Sequence, residues 1–212
     1  MWKGGETMKA LLRRLADLLM QIGAIQFGAF KLKLHETNPD APLSPIYINL
    51  RRLRGSPETM DMVAKVFKEM LEGLDCDLIA DIPHSISPVV AVLSHKTRIP
   101  MVTPRLPKDR GTGVTVEGIF RSGQTVVVFD DLITKADSKL EAIRVLEEKG
   151  LEVSDVVVLV DREQGGAKEL DERGYELHAA VTLTELLKYY VDTEQIDQAK
   201  YGEVIAYLAK NS

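Results

Sequence analysis

The chain has 212 residues, 45% hydrophobic and 28% charged, which is enough for a sizeable core in one domain with a small appendage. A net charge of −5 argues against a nucleic-acid binder that works by neutralising phosphates, and the single cysteine, Cys76, excludes an intrachain disulfide and points to a reducing compartment, read as the cytoplasm. No run approaches the roughly 18 apolar residues that a membrane span requires, and no charged stretch leads into an apolar signal core.

In chain order, residues 7–22 set Leu11, Leu12, Leu15, Leu18, Leu19 and Ile22 against Lys9, Arg13, Arg14 and Asp17, the pattern of an amphipathic helix that Gly23 ends. Residues 27–34 alternate apolar with lysine, and 44–50 (SPIYINL) read as a second strand, so the two predict a hairpin with a long, proline-bounded connection. Ser56, Pro57 and Glu58 open a helix whose buried face is Met62, Val66, Phe67, Met70 and Leu71. Strands at 78–82, 101–103, 125–129, 156–160 and 177–181 then alternate with helices at 88–94, 138–149, 167–173 and 184–190. That order specifies an α/β fold, an open and mostly parallel sheet with helices on both faces. A last helix at 199–209 is expected to pack with the first.

The stretch TVVVFDDLITKADSK, residues 125–139, carries the clearest chemistry. Its β-branched run has no polar alternation, as in a strand covered on both faces, and it stops on Asp130 and Asp131 at the sheet edge where α/β folds place ligands. A short polar turn follows, with Ser138 placed to cap the next helix. Such a geometry holds a phosphate on backbone amides while carboxylates face a diol or a cation. Read by itself, it is equally an acidic strand end before an ordinary capped helix.

Two further segments stand out. After Met101 the sequence TPRLPKDRGTGVTVEG combines Arg105, Lys108 and Arg110 with Gly111 and Gly113, while Pro104 and Pro107 exclude a regular helix, a composition suited to a cationic lid. At the end of another buried strand stands VDREQGG, in which the Arg162 guanidinium is the group that takes a planar carboxylate as a bidentate fork. His35, His84, His95 and His178 are too scattered to predict a metal cage, and none has the setting of a triad.

Together these segments resemble the type I phosphoribosyltransferases, and among them the orotate-using members, over residues 27–190. The family signature of four hydrophobic residues, two acids and a Thr/Gly-rich loop matches VVVFDDLITKADS. The resemblance implies that Asp130 and Asp131 take the ribose diol of 5-phosphoribosyl 1-diphosphate (PRPP) while Thr134, Lys135, Ala136, Asp137 and Ser138 cradle its 5-phosphate. Ala136 and Asp137 stand where the family has two glycines. In the lid, the resemblance puts Lys108 on the catalytic lysine and Arg105 and Arg110 on the diphosphate; Pro104 replaces a further arginine. FKLKLH and SPIYIN resemble the family's hood, which implies Lys33 near the diphosphate and base, with Tyr47 and Ile48 against the base ring. A surface lysine and a packed tyrosine are the plainer reading of those residues alone. Thr134 and Arg162, 28 residues apart, match the two orotate contacts.

In the place of the diphosphate loop, His84, Ser85 and Ile86 depart from the family pattern. The implied organisation is one domain, residues 1–55 with 182–212 forming a hood over a PRPP-binding core at 56–181. The implied partners are PRPP and orotate, magnesium bound mainly through PRPP, and a second copy in a homodimer with shared active sites. Neither a nucleic acid nor a membrane is expected. The alternatives are a ligand-sensing protein that keeps the fold without turnover and a transferase for another base.

Overall fold

The alternation of apolar runs with amphipathic stretches gives, in the computed structural model, a six-stranded sheet clothed by helices on both faces and a separate two-stranded hairpin. Residues 6–31, 36, 38–105 and 115–210 are described. Helix α1 (Glu6–Gln21) buries Leu12, Leu15 and Leu19, and Gly23 turns the chain with a φ of +66° that only glycine adopts freely. Strand β1 (Ile25–Phe30) pairs antiparallel with β2 (Ser44–Ile48), Ile25 opposite Ile48. The expected first strand, residues 27–34, therefore starts earlier than its alternation suggested, and its far end, residues 32–34, lies outside the described residues. A 3-10 turn (Leu50–Gly55) leads to α2 (Pro57–Leu71), whose first turn is fixed as expected by the Ser56 hydroxyl accepting the Thr59 amide at 3.3 Å.

The main sheet contains β3 (Leu78–Asp81), β4 (Met101–Pro104), β5 (Val116–Glu117), β6 (Thr125–Ile133), β7 (Glu152–Asp161) and β8 (Glu176–Thr182). Its order is β5-β4-β3-β6-β7-β8. All neighbours run parallel except β5, which folds back antiparallel on β4, with Thr103 opposite Glu117. The loop reading of 103–118 missed β5, a two-residue edge strand too short for periodicity to mark. Helices α3 (Ser87–Thr97), α4 (Asp137–Glu147), α5 (Gly166–Asp171), α6 (Leu183–Asp192) and α7 (Gln198–Lys210) complete the chain.

Successive strand residues face opposite sides of the sheet, and this explains the unbroken apolar run of β6. Val127 and Phe129 join the core made with α1, α2, α3 and α6, whereas Val126 and Val128 join the core made with α4 and α5. Burying each such side chain contributes about 1.5–3 kcal/mol. Helix α7 packs mainly on β2 and α6 and not chiefly on α1 as expected, because the apolar stripe of α1 is taken by α2 and α6. The Tyr190 hydroxyl of α6 donates to the Ala16 carbonyl of α1 at 2.9 Å. Among the described residues no helix is long and apolar enough to cross a membrane.

Candidate functional site

Strand β6 does not stop at Phe129, as its composition suggested. It continues to Ile133, because Asp130, Leu132 and Ile133 keep their register with Val158, Val160 and Asp161 of β7. The two acids are thus consecutive residues of a strand, and they point to opposite faces. Asp130 turns toward α4, where it is 6% exposed and its carboxylate lies 2.6 Å from the Lys139 ammonium. Lys139 also donates to the Leu132 carbonyl at 2.6 Å. Burial pushes the Asp130 carboxyl up, to about 7, against the pull of Lys139 and with the charge of Asp131 adding to the rise. Asp131 turns the other way and is half-buried, with the Ser85 hydroxyl donating to its Oδ2 and the Leu132 amide to its Oδ1 at 2.9 Å. Both acids were expected to face the ribose diol; the parity of the strand sets them on opposite faces, with Asp130 buried against Lys139 and Asp131 the more open of the two.

The turn after β6 passes directly into α4. Its N-cap is Ala136, in a right-handed conformation (φ −87°, ψ −3°), and not Ser138, which lies within the first turn. Alanine therefore costs nothing where the family has glycine, since no positive φ is required. Ala136 is buried, and its amide donates to the Glu169 carboxylate of α5 at 2.8 Å. The Lys135 ammonium stands 3.9 Å from the same carboxylate. Asp137 and Ser138 are exposed, and an acid there is favoured by the positive end of the helix. If Asp137 faced a bound phosphate at ~5 Å, the repulsion would be roughly 3 kcal/mol at an effective dielectric of ~20, about a hundredfold in affinity. With Asp137 outward, restoring glycine at both positions (Ala136→Gly with Asp137→Gly) is expected to change ribose 5-phosphate affinity less than about threefold. A gain near a hundredfold in titration calorimetry would show an impaired loop.

Segment 82–86 borders Asp131. Ile86 is fully buried where the family has glycine, so that position serves packing, and Ser85 uses its hydroxyl on Asp131. The Pro83–His84 peptide is cis, His84 is exposed, and its carbonyl accepts from Arg54. Below it, buried Asp81 accepts from the Ser87 and Thr103 hydroxyls. On the lid side, the Arg105 amide donates to the Thr115 carbonyl at 2.8 Å and its guanidinium pairs with Glu117 at 2.7 Å, so Arg105 belongs to the β4–β5 stem. Lys33, Lys108 and Arg110 lie outside the described residues.

Arg162 follows β7 directly. Its amide donates to the Ile133 carbonyl at 3.0 Å, and the Gly166 amide donates to the Thr134 carbonyl at 2.9 Å, which laces the two loops together. Gly165 has φ +94°, and a Cβ on Gly166 would stand 2.5 Å from the Ile133 side chain, so neither position admits another residue without a shift. Among the described residues, the Arg162 Nε is buried and has no hydrogen-bond partner. Burial holds this guanidinium below its usual pKa range, and Tyr207 of α7 opposes that effect. Tyr47 and Ile48 are half-buried on β2, the Tyr47 ring 5.5 Å from that of Phe30, and α7 packs on the same strand.

Sequence reasoning missed Lys139, Glu169 and Tyr207. Lys139 was legible, because it falls on the apolar stripe of α4 with Ala142, Ile143 and Leu146. The other two gave no local signal. Asp155, Glu176 and His178 offer ligand atoms within 4.8 Å of one another. They lie near the starts of β7 and β8, away from Asp131, and the 2.7 Å contact of His178 Nε2 with Asp155 accounts for the group as a cross-strand pair. Burial pushes the Cys76 thiol up to about 11, so it is no nucleophile at neutral pH.

No protein-family model matches the chain. It is 34% identical over 202 residues to an orotate phosphoribosyltransferase of Pyrobaculum aerophilum, which covers 94% of this chain and 98% of the relative. It is 32% identical over 206 residues to the uridine 5′-monophosphate synthase of Bos taurus, covering 96% of this chain and 42% of the relative. The solved structure of the UMP synthase of Leishmania donovani superposes with a TM-score of 0.82 at 33% identity, over 97% of this chain and 43% of that one. The chain thus spans about two fifths of the two synthases and nearly all of the archaeal relative.

Proposed function

Because the chain belongs to the orotate phosphoribosyltransferase family, we propose that it transfers the 5-phosphoribosyl group of PRPP to orotate, giving orotidine 5′-monophosphate and diphosphate. The observation that carries this reading is Arg162, a half-buried side chain whose Nε is buried and unpartnered among the described residues, anchored through its amide beside the phosphate-loop turn. Buried polar groups are paired in nearly all proteins, so this nitrogen calls for an acceptor. The planar carboxylate of orotate is that acceptor, held as a charge-assisted bond. Asp131 and Ser85 take a ribose hydroxyl, the turn at 134–138 takes the 5-phosphate, and Tyr47 and Ile48 line the base.

In the reaction the bond from the ribose anomeric carbon to the diphosphate oxygen breaks, the oxygen keeping the electron pair, and one to the orotate ring nitrogen forms as that nitrogen loses its proton to solvent, through a sugar carrying positive charge. Asp131 stabilises that charge, while Lys108, with Arg110 and Lys33, stabilises the departing diphosphate. Asp130, tied to Lys139, positions the strand and not the substrate. Since Asp130 is sealed and Asp131 is the one open carboxylate on this strand end, the residues fit a magnesium ion carried in on PRPP better than one held by the protein. When bound, magnesium would neutralise diphosphate charge. We place this activity in pyrimidine biosynthesis in the cytoplasm, which the lone cysteine supports.

Orotate absorbance should fall on adding PRPP and magnesium, and only with both present. Orotate binding without that fall would instead support the ligand-sensing reading, which the Glu169 carboxylate on the Ala136 amide favours; a fall with another base in place of orotate would change the substrate. We also propose a two-fold dimer in which each lid serves the neighbouring site. Mixing inactive Lys108→Ala and Asp131→Ala chains should then restore activity, because half of the sites in the mixed dimer are intact. No recovery after subunit exchange would remove the shared site.

A further inference from the structure

We propose that Glu169 is a built-in competitor for the 5-phosphate, a residue that sets how tightly this site holds the phosphate end of its sugar substrate. The inference rests on the proposed reading of residues 134–138 as the phosphate loop.

Three contacts carry it. The Glu169 Oε2 accepts the Ala136 amide at 2.8 Å, so an anionic oxygen already sits on a backbone donor at the start of α4. The Lys135 ammonium is turned to the same carboxylate at 3.9 Å, and a Cβ on Gly165 would lie 3.4 Å from that ammonium. Glu169 is therefore flanked by the two kinds of donor, amide and cation, that a phosphate oxygen would seek. One N–H presents one hydrogen, so a phosphate on this amide excludes the carboxylate, and a carboxylate left in place repels the phosphate. The Ser85 hydroxyl on Asp131 shows the same substitution at the other end of the site, a protein hydroxyl on the acid proposed for the ribose.

The placement of Glu169 is imposed by the fold. Helix α5 begins at Gly166, whose amide is bonded to the Thr134 carbonyl and which has no room for a side chain against Ile133. The backbone of α5 is thus pinned to the loop it serves, and the carboxylate reaches Ala136 from one turn further along. Its side chain is 37% exposed, so it can rotate outward into solvent without moving the backbone. The same stretch of chain carries Arg162, so the group proposed to recognise the base and the group that vacates the phosphate position are seven residues apart. Lys135 remains at the site when Glu169 leaves and transfers its charge to the incoming phosphate.

The test is calorimetric titration of the whole chain with ribose 5-phosphate, and with inorganic phosphate as a second probe, neither of which needs orotate or turnover. Glu169→Ala is expected to tighten ribose 5-phosphate by about tenfold, the worth of one hydrogen bond to a charged group. Glu169→Gln, which keeps the length and an acceptor and guards against a folding defect in the alanine variant, is expected to tighten it by at least about threefold by removing the charge. If Glu169 merely holds the loop in shape, the sign reverses: both variants bind the sugar phosphate more weakly. Weaker or unchanged binding, or no binding by either the natural chain or the variants, overturns the inference. Tightening in a chain that shows no orotate turnover leaves the inference standing and removes the proposed reaction; turnover with unchanged sugar-phosphate affinity does the reverse.

Discussion

Replacing Arg162 with alanine is expected to raise the KM for orotate by about a hundredfold or more, and to change the KM for PRPP less than about threefold. The Arg162 side chain is half-buried and its Nε, sealed from water, meets no acceptor among the described residues, so that nitrogen has already lost its hydration. An incoming carboxylate recovers that cost through charge-assisted bonds, which is why one contact can carry so much of the affinity. Arg162→Lys should not rescue, because an ammonium offers a point charge in place of a planar fork. The backbone amide to Ile133 survives both substitutions, so the loop should keep its place. Steady-state kinetics in both substrates provide the check. A matched rise in the two KM values would mean that Arg162 supports the site as a whole and does not read the base.

The second large effect is on stability. Lys139→Met should cost about 3–5 kcal/mol, since it leaves Asp130 buried without its counterion, and lower Tm by roughly 6–20 °C for a chain of this size. The deficit should depend on pH. Burial raises the folded-state pKa of Asp130 from the ordinary carboxylate range to about 7. Its contribution is therefore fully present below the unfolded value and is lost as pH rises through about 7. Lys139 works against that rise, so without it the carboxyl moves higher still and the variant suffers most where Asp130 would be ionised. Melts at pH 5 and pH 8 should show the deficit growing with pH, and Asp130→Asn combined with Lys139→Met should recover most of it. An equal deficit at both pH values would show that the loss is one of packing. Asp131→Asn, by contrast, should leave Tm nearly unchanged and weaken the sugar phosphate.

The strand and helix order was legible because burial on both faces leaves an unmistakable β-branched run, and because Ser56, Pro57 and Glu58 act through local backbone chemistry. The position of the Arg162 loop at the end of β7 was legible for a related reason, since the apolar run of that strand stops just before it and Gly165 and Gly166 mark the turn. The extent of β6 was not. Aspartates look like a strand end, yet strand continuation is decided by backbone pairing to β7, and a lysine 9 residues after Asp130 makes the buried acid tolerable. Ser138 is not the cap, because the helix starts two residues earlier than the spacing of polar residues implied, with Ala136 at the N-cap. Glu169 reaches Ala136 across 33 positions, and no periodicity records a contact of that kind.

The division of β6 between two cores also bears on how the molecule comes apart. Val126 and Val128 serve one side of the sheet and Val127 and Phe129 the other, so β6 cannot leave either core without stripping the second. Neither half has a private foundation, and the sheet should unfold as one cooperative unit. The amide protons of 126–129 should then exchange with solvent only through global opening. Asp131, Leu132 and Ile133 extend the same strand, still paired to β7 up to Ile133. The floor of the site therefore inherits the full stability of the molecule, and local breathing is left to the connectors and side chains that ring it.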